Sequence, residues 1–325
     1  MTNTPIRLGL LGCADVAVRR MLPVVPSVPG MTLIAAASRD TDKARSVTER
    51  FGGEPVTGYD ALLERDDVEA VYLPLPPELH APWVRRALLA GKHVLAEKPL
   101  TTSLAETTEL VQLADEQGLV LQENFMFPQH NVHTQVRRML DDQKIGELRS
   151  FAATFAIPPR QTDDIRLDPE LGGGALFDVG VYPLRVARLL LGDELEVVGA
   201  TLRHDDRMGV DLSGGILVRT PEGMRGHLEF GLEHHYTSYY QLLGSAGRLT
   251  LEHAFTPPAH YRPVVRIERQ DYRSEWTLSA DDQYANTLAG FAKAVRDAKR
   301  ADPGLVKQAK LVERARRLAW EETTE

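Results

Sequence analysis

Apolar and polar positions follow two different rhythms along this chain, and the change falls after Asn124. Before it, short apolar runs alternate with stretches whose apolar residues recur three or four apart. The runs at residues 6–12, 33–37, 68–75, 93–96 and 119–123 predict buried strands. Segments 14–25, 41–51, 59–64, 81–90 and 103–117 predict the helices between them, with Pro23 as an end or kink of the first. Strands interleaved with helices predict a parallel, doubly wound α/β sheet. Beyond Asn124, a helix at 131–142 gives way to strands at 148–157, 197–203, 212–220, 224–233, 239–244 and 248–252. The turn signals Pro221-Glu222-Gly223 and Ala246-Gly247 punctuate them, so a large open, mostly antiparallel sheet is expected in an α+β domain. Helices at 182–191, 284–299 and 306–320 would cover one face, and the other is a natural contact for a homodimer or homotetramer. The domain boundaries drawn from this pattern are 1–123 and 124–325.

Length agrees with two domains, since 325 residues exceed what most single cores contain. A net charge of −8 argues against a general nucleic-acid binder, whose footprint is basic. It leaves room for a local basic pocket that takes an anionic small molecule. The one cysteine, Cys13, can form no internal disulfide, and no apolar stretch approaches membrane-spanning length. A cytoplasmic protein with no membrane partner is expected.

Candidate chemistry sits at the strand ends. The first strand runs into Gly12-Cys13-Ala14-Asp15-Val16-Ala17 and then a helix, the context of a dinucleotide-binding turn. The helix start offers free N–H groups to a pyrophosphate, although alanine stands where the second and third glycines usually sit. The second strand ends at Ser38-Arg39-Asp40. Ser38 can hydrogen-bond a ribose phosphate and Arg39 can pair with it while stacking on adenine, which predicts NADP; Asp40 reads as the cap of the next helix. Leu75 and His80 follow the carboxyl end of the third strand, where cofactors bind in such sheets, and Tyr59, at the start of a short helix, is a further candidate cofactor contact; His80 alternatively caps its helix. The fourth apolar run delivers Glu97-Lys98-Pro99, and a lysine at the end of a buried strand asks for a partner, a ligand or a chemical task. In the second half, Gly172-Gly173-Gly174 precedes Asp178 and Tyr182, which share a face if the segment is helical; taken alone, the block reads as an ordinary loop–helix junction with Asp178 as a cap and Tyr182 in the core. His235 and Tyr236 follow a strand and are candidate substrate contacts, or an exposed edge. His130 and His133 have no evident third ligand, so no metal is expected and the pair reads as helix surface.

Taken in order, the Gly12 turn, Glu97-Lys98-Pro99 and Gly173-Gly174 with Asp178-x-Gly180-x-Tyr182 resemble the Gfo/Idh/MocA oxidoreductases over nearly the whole chain. The resemblance implies a Rossmann domain followed by a substrate domain, with Lys98 and Tyr182 catalytic. It also implies that Glu97 and Pro99 shape the nicotinamide site and that Asp178 orients groups near it. Arg166 is a candidate contact for a cofactor phosphate or carboxamide. Many family members have histidine where Tyr182 stands. The tyrosine, the Gly-Cys-Ala-Asp-Val-Ala turn and Ala37-Ser38-Arg39 are most similar to the branch of deoxysugar 3-ketoreductases. That branch implies NADPH-dependent reduction of the C3 ketone of a dTDP-linked 3,4-diketo-2,6-dideoxyhexose. The alternatives are a free sugar, anhydroketose or dihydrodiol substrate, or a non-enzymatic NADP-binding regulator; a sensor would need neither Lys98 nor Tyr182. Whether Lys98 or Tyr182 gives the proton stays open.

Overall fold

A computed structural model of the chain describes residues 4–299 and 301–321, so both outer ends of the two sequence-drawn domains lie outside the described residues. The chain packs as two compact units, one of residues 1–125 and 284–306, the other of 126–283 and 307–325.

The first unit is the alternating half. Its elements are β1 (Ile6–Leu11), β2 (Met31–Ser38), α1 (Thr41–Phe51), β3 (Glu54–Thr57), α2 (Tyr59–Leu63), β4 (Ala70–Leu73), α3 (His80–Leu89), β5 (His93–Glu97), α4 (Leu104–Gln117) and β6 (Leu121–Asn124). The six strands form one sheet in the order β3-β2-β1-β4-β5-β6, with every neighbouring pair parallel. Strands buried on both faces read as unbroken apolar runs, which is why β1, β2, β4 and β5 were legible. The order reverses between β1 and β4, and the crevice outside their carboxyl ends is where such sheets bind ligands. Asp40 caps α1 as expected, its Oδ1 accepting from the N–H of Asp42 at 2.9 Å.

Two features depart from the expected pattern. The helix after Gly12 is not a regular α-helix: a π-helical turn at Ala17–Met21 passes into a 3₁₀ turn at Leu22–Ser27. Pro23 and Pro26 lack the N–H groups that an α-helical ladder needs there. The edge strand β3 was not foreseen, because three of its four residues are exposed and it carries no buried alternation.

The second unit begins with α5 (Asn131–Asp141) and continues through β7 (Leu148–Ala156), α6 (Val181–Leu191), β8 (Glu196–Asp205), β9 (Val210–Arg219), β10 (Arg225–Gly231), β11 (Thr237–Gly244), β12 (Arg248–Glu252), β13 (Val264–Arg269) and β14 (Tyr272–Thr277). These strands form an eight-stranded sheet in the order β14-β13-β12-β11-β7-β10-β9-β8, antiparallel except for β10 with β7. The strands β13 and β14 were missed by the sequence pattern; β14 is an edge strand that is almost wholly exposed. Helix α7 (Gln283–Arg296) brings the chain back to the first unit, where Arg296 bonds the Gly30 carbonyl. The last helix, α8 (Gly304–Glu321), gives Gln308 to the Val181 carbonyl of α6. Among the described residues no helix is long and apolar enough to cross a membrane.

The expectation for His130 and His133 needs correcting. Both are buried, 2% and 1% exposed, so they are core rather than helix surface. His133 Nδ1 lies 3.1 Å from the Tyr240 hydroxyl, and burial drives its pKa down to about 3. A histidine on an amphipathic helix carries no sign of which face it takes.

Candidate active site

The reversal point of the first sheet holds a cleft of about 340 Å³ lined by Gly12, Cys13, Ala14, Ser38, Arg39, Lys43, Tyr59 and Leu75. The Gly12 turn is tied down by its N–H to the Ala37 carbonyl at 3.0 Å and has φ of +108°. A Cβ on Gly12 would come within 2.6 Å of Leu75 Cδ2, so only glycine keeps this turn beside the β4 loop. Cys13 Sγ points at the Ala37 carbonyl, and burial raises its pKa to about 11, leaving a neutral small side chain in the turn. Ala14 completes the turn's contribution to the cleft. Asp15, Val16 and Ala17 do not line it: Asp15 pairs with Arg19 on the surface and Ala17 is fully buried. Ser38 is buried and its Oγ accepts from the Asp40 N–H at 3.1 Å, while Arg39 and Lys43 are exposed cations at the rim. Tyr59 leans edge-on to Trp83 with ring centroids 5.0 Å apart, and its hydroxyl pKa is raised by burial against the nearby Arg39 charge. A glycine turn with no room for a side chain, apolar walls and two unburied cations fit the adenosine phosphate end of NADP.

Carboxyl ends of three neighbouring strands build the second part. Glu97 at the end of β5 is buried, and its Oε1 accepts from the Tyr72 hydroxyl of β4 at 2.6 Å and from Asn124 Nδ2 of β6 at 2.5 Å. Burial raises its pKa, while these donors and the Lys98 charge pull it back. Lys98 follows, half-buried, with a cis peptide to Pro99. The loop behind it is pinned twice. His80 is fully buried with Nδ1 2.8 Å from the Pro99 carbonyl and Nε2 2.7 Å from the Leu75 carbonyl, and Glu123 Oε1 accepts the Leu100 N–H at 2.8 Å. With both ring nitrogens facing backbone carbonyls, His80 joins the β4 and β5 loops rather than presenting a nitrogen to a ligand, and the cap position of α3 belongs to Leu79.

In the second unit the glycine block opens a π-helical turn, Leu176–Gly180, that leads into α6. Asp211 of β9 holds its start, its Oδ2 accepting the Leu176 N–H at 2.7 Å. Gly174 has φ of +118° and a Cβ there would strike that carboxylate, so glycine and aspartate belong to one device. Burial raises the Asp211 pKa despite these N–H donors. Asp178 accepts from Arg166 Nε at 2.7 Å, and Arg166 Nη1 also reaches Asp164 at 3.1 Å, so two carboxylates, Asp178 first, hold the guanidinium protonated. Tyr182 is 5% exposed, its ring packed on Phe155, Phe255 and Phe127 at centroid distances of 4.8, 5.7 and 5.8 Å. Of the two candidate substrate contacts, Tyr236 belongs to the same aromatic cluster, 6.5 Å from Phe155, and His235 is exposed beside it. Lys98 and Tyr182 are therefore carried by different units. Tyr72, Asn124, Glu123 and Asp211 went unnoticed in the sequence, where no local motif marks them.

A Rossmann unit with a cofactor cleft and a lysine at the next strand end, followed by a mixed-sheet unit, defines a dinucleotide-dependent oxidoreductase. Residues 6–125 match the GFO/IDH/MocA domain described as "Oxidoreductase family, NAD-binding Rossmann fold", and residues 133–250 match the GFO/IDH/MocA C-terminal domain. The chain belongs to this family. It is 56% identical over 291 residues, 90% of this chain and 88% of the relative, to the dTDP-3,4-didehydro-2,6-dideoxy-alpha-D-glucose 3-reductase of Actinomadura kijaniata. It is 47% identical to the enzyme of the same name from Streptomyces antibioticus, over 98% of each chain. The crystal structure of KijD10, a 3-ketoreductase from Actinomadura kijaniata in complex with NADP and TDP-benzene, is similar with a TM-score of 0.94 and 52% identity, covering 97% of this chain and 98% of that one. KijD10 has also been crystallised as one lysine-to-alanine and one tyrosine-to-phenylalanine variant.

Proposed function

We infer that this enzyme is an NADPH-dependent sugar C3-ketoreductase that reduces the C3 ketone of a dTDP-3,4-diketo-2,6-dideoxyhexose. The observation that carries the reading is the 56% identity to a 3-reductase of that substrate class over 90% of the chain. The cleft at Gly12, Ser38, Arg39 and Tyr59 holds the adenosine half of the cofactor, with Arg39 and Lys43 meeting the 2′-phosphate. With the cofactor bound, its nicotinamide half supplies a hydride for the carbonyl carbon.

The chain's own residues handle the oxygen. The Lys98 ammonium polarises the carbonyl and stabilises the alkoxide as it forms. Glu97, anchored by Tyr72 and Asn124, keeps a compensating carboxyl beside that cation. The proton reaches the alkoxide from Lys98 Nζ or Tyr182 Oη. The lysine and tyrosine altered in the KijD10 variants are separated by the same length of chain as Lys98 and Tyr182, which supports this pairing. Arg166 and Asp178 act through their ion pair, which fixes the helix turn ahead of Tyr182; His235 and Tyr236 meet the substrate. We place the enzyme in the cytoplasm, in a deoxysugar pathway serving natural-product (antibiotic) biosynthesis. There it works as a homodimer or homotetramer joined through the open face of the second sheet, with no nucleic-acid or membrane partner.

Lys98→Ala tests the reading. Loss of charge stabilisation at the alkoxide lowers kcat by about two orders of magnitude or more, with NADPH binding retained. Turnover equal to that of the parent enzyme overturns the assignment of Lys98.

A further inference from the structure

Two segments meet at the loop that carries Lys98, and proline limits how either can tie itself down. The end of β4 runs into Pro74-Leu75-Pro76-Pro77, and the end of β5 into Lys98-Pro99. Proline has no N–H, so four of these six positions offer the backbone a carbonyl and nothing else. Pro99 is buried, and a buried carbonyl left without a donor is costly. The donor has to come from another part of the chain.

His80 supplies it. Its ring is fully buried, with Nδ1 2.8 Å from the Pro99 carbonyl and Nε2 2.7 Å from the Leu75 carbonyl. The residue opens α3 directly after a 3₁₀ turn at Pro77–Leu79, so a helix start fixes where the ring stands. Both partners only accept. A neutral ring therefore holds one loop by its N–H, and a protonated ring holds both. Burial pushes the pKa of the ring down, the backbone groups of Leu75, Pro99 and Leu100 pull it back, and the Lys98 charge adds a smaller push down. Two of those three backbone groups belong to the Lys98 loop. On the same loop Glu123 Oε1 takes the Leu100 N–H at 2.8 Å, so the chain leaving Lys98 is held from two directions. The other end of the bridge reaches the cofactor cleft, where Leu75 forms a wall against the Gly12 turn.

We propose that His80 is the positioning residue of Lys98, its Nδ1–H on the Pro99 carbonyl setting where the lysine stands beside the cofactor cleft. The ring acts through the lysine and contacts no ligand itself. Misplacing a reacting group by about 1 Å costs up to about a hundredfold in rate, so a bond this close to Lys98 bears on turnover more than on binding. The assignment rests on Lys98 serving the reacting ketone.

Steady-state kinetics beside urea unfolding of three variants test it. His80→Leu removes both donors and lowers kcat about tenfold or more. His80→Asn, whose amide stands near the Nδ1 position, restores most of kcat. His80→Gln, whose amide reaches the Nε2 position and the Leu75 carbonyl, restores stability but not kcat, while its NADPH affinity and its KM for the dTDP-sugar stay at parent values. The Asn and Gln comparison decides the matter even where His80→Leu does not fold. If kcat simply follows stability across the variants, or if His80→Gln turns over like the parent, the positioning role is overturned. Placed on Lys98→Ala, His80→Gln causes no further loss of kcat, because the residue it positions is gone; a loss of equal size in both backgrounds also overturns the role. Parent-like turnover in Lys98→Ala alone overturns the reading of Lys98 instead, so the two failures are separable.

Discussion

Tyr72→Phe isolates what a buried carboxyl beside Lys98 requires. The change deletes one oxygen from a side chain 1% exposed, so it opens no cavity that would carry its own cost. What is lost is the hydrogen bond to Glu97 Oε1 at 2.6 Å, a donor to a group that is anionic once ionised. Such bonds contribute about 1.5–3 kcal/mol. Asn124 remains on the same oxygen, so Glu97 keeps one of these two donors. The sign of the pH dependence follows from linkage. Burial raises the Glu97 pKa in the folded protein, so the stability tied to this group is present at low pH and is lost as pH rises through the folded value. Removing a donor to the anion raises that value further. The variant is therefore destabilised by up to about 2 kcal/mol, and more at pH 8 than at pH 5, because acid favours the protonated carboxyl, which needs the donor less. Urea unfolding followed by circular dichroism at both pH values measures the difference. A deficit of equal size at pH 8 and pH 5 refutes the claim that Tyr72 supports an ionised Glu97.

Asp211→Ala leaves the buried Leu176 N–H without its acceptor, which costs about 1–3 kcal/mol and lowers kcat more than it raises KM, because the turn it anchors leads to Asp178 and Tyr182; denaturation and steady-state kinetics read the two effects. Asp211→Asn, which keeps an acceptor oxygen, recovers most of both. Below pH 6.5 the unfolded chain takes up a proton that folded His133, with its pKa near 3, refuses, so stability falls by about 1.4 kcal/mol per pH unit toward acid from this group alone. His133→Gln flattens that fall between pH 6.5 and 4.5, and an unchanged slope in urea unfolding contradicts the burial argument.

What could be read from the sequence, and what could not, divides along physical lines. The parallel sheet was legible because β1, β2, β4 and β5 are buried on both faces and must be continuously apolar. The edge strands β3 and β14 face solvent along most of their length, so nothing in their composition marks them as strands. The same division runs through the candidate site. Gly12 with its neighbours, and Glu97-Lys98-Pro99, are contiguous because one tight backbone segment must present them to a ligand, and contiguity is what a sequence displays. The groups that hold those segments come from elsewhere. Asp211 lies 35 residues from the N–H it accepts, Tyr72 lies 25 from Glu97, and Glu123 lies 23 from Leu100. Tyr72 and Glu123 sit on the strands flanking β5 and meet their partners only once the sheet register is set, and Asp211 meets its partner only once the Leu176 turn packs on β9. His80 shows the consequence. Its place at the end of a loop suggests a ligand contact, yet in the fold its ring joins the Leu75 and Pro99 carbonyls, so the residue that looked like part of the cofactor's surroundings is part of what holds Lys98 in position.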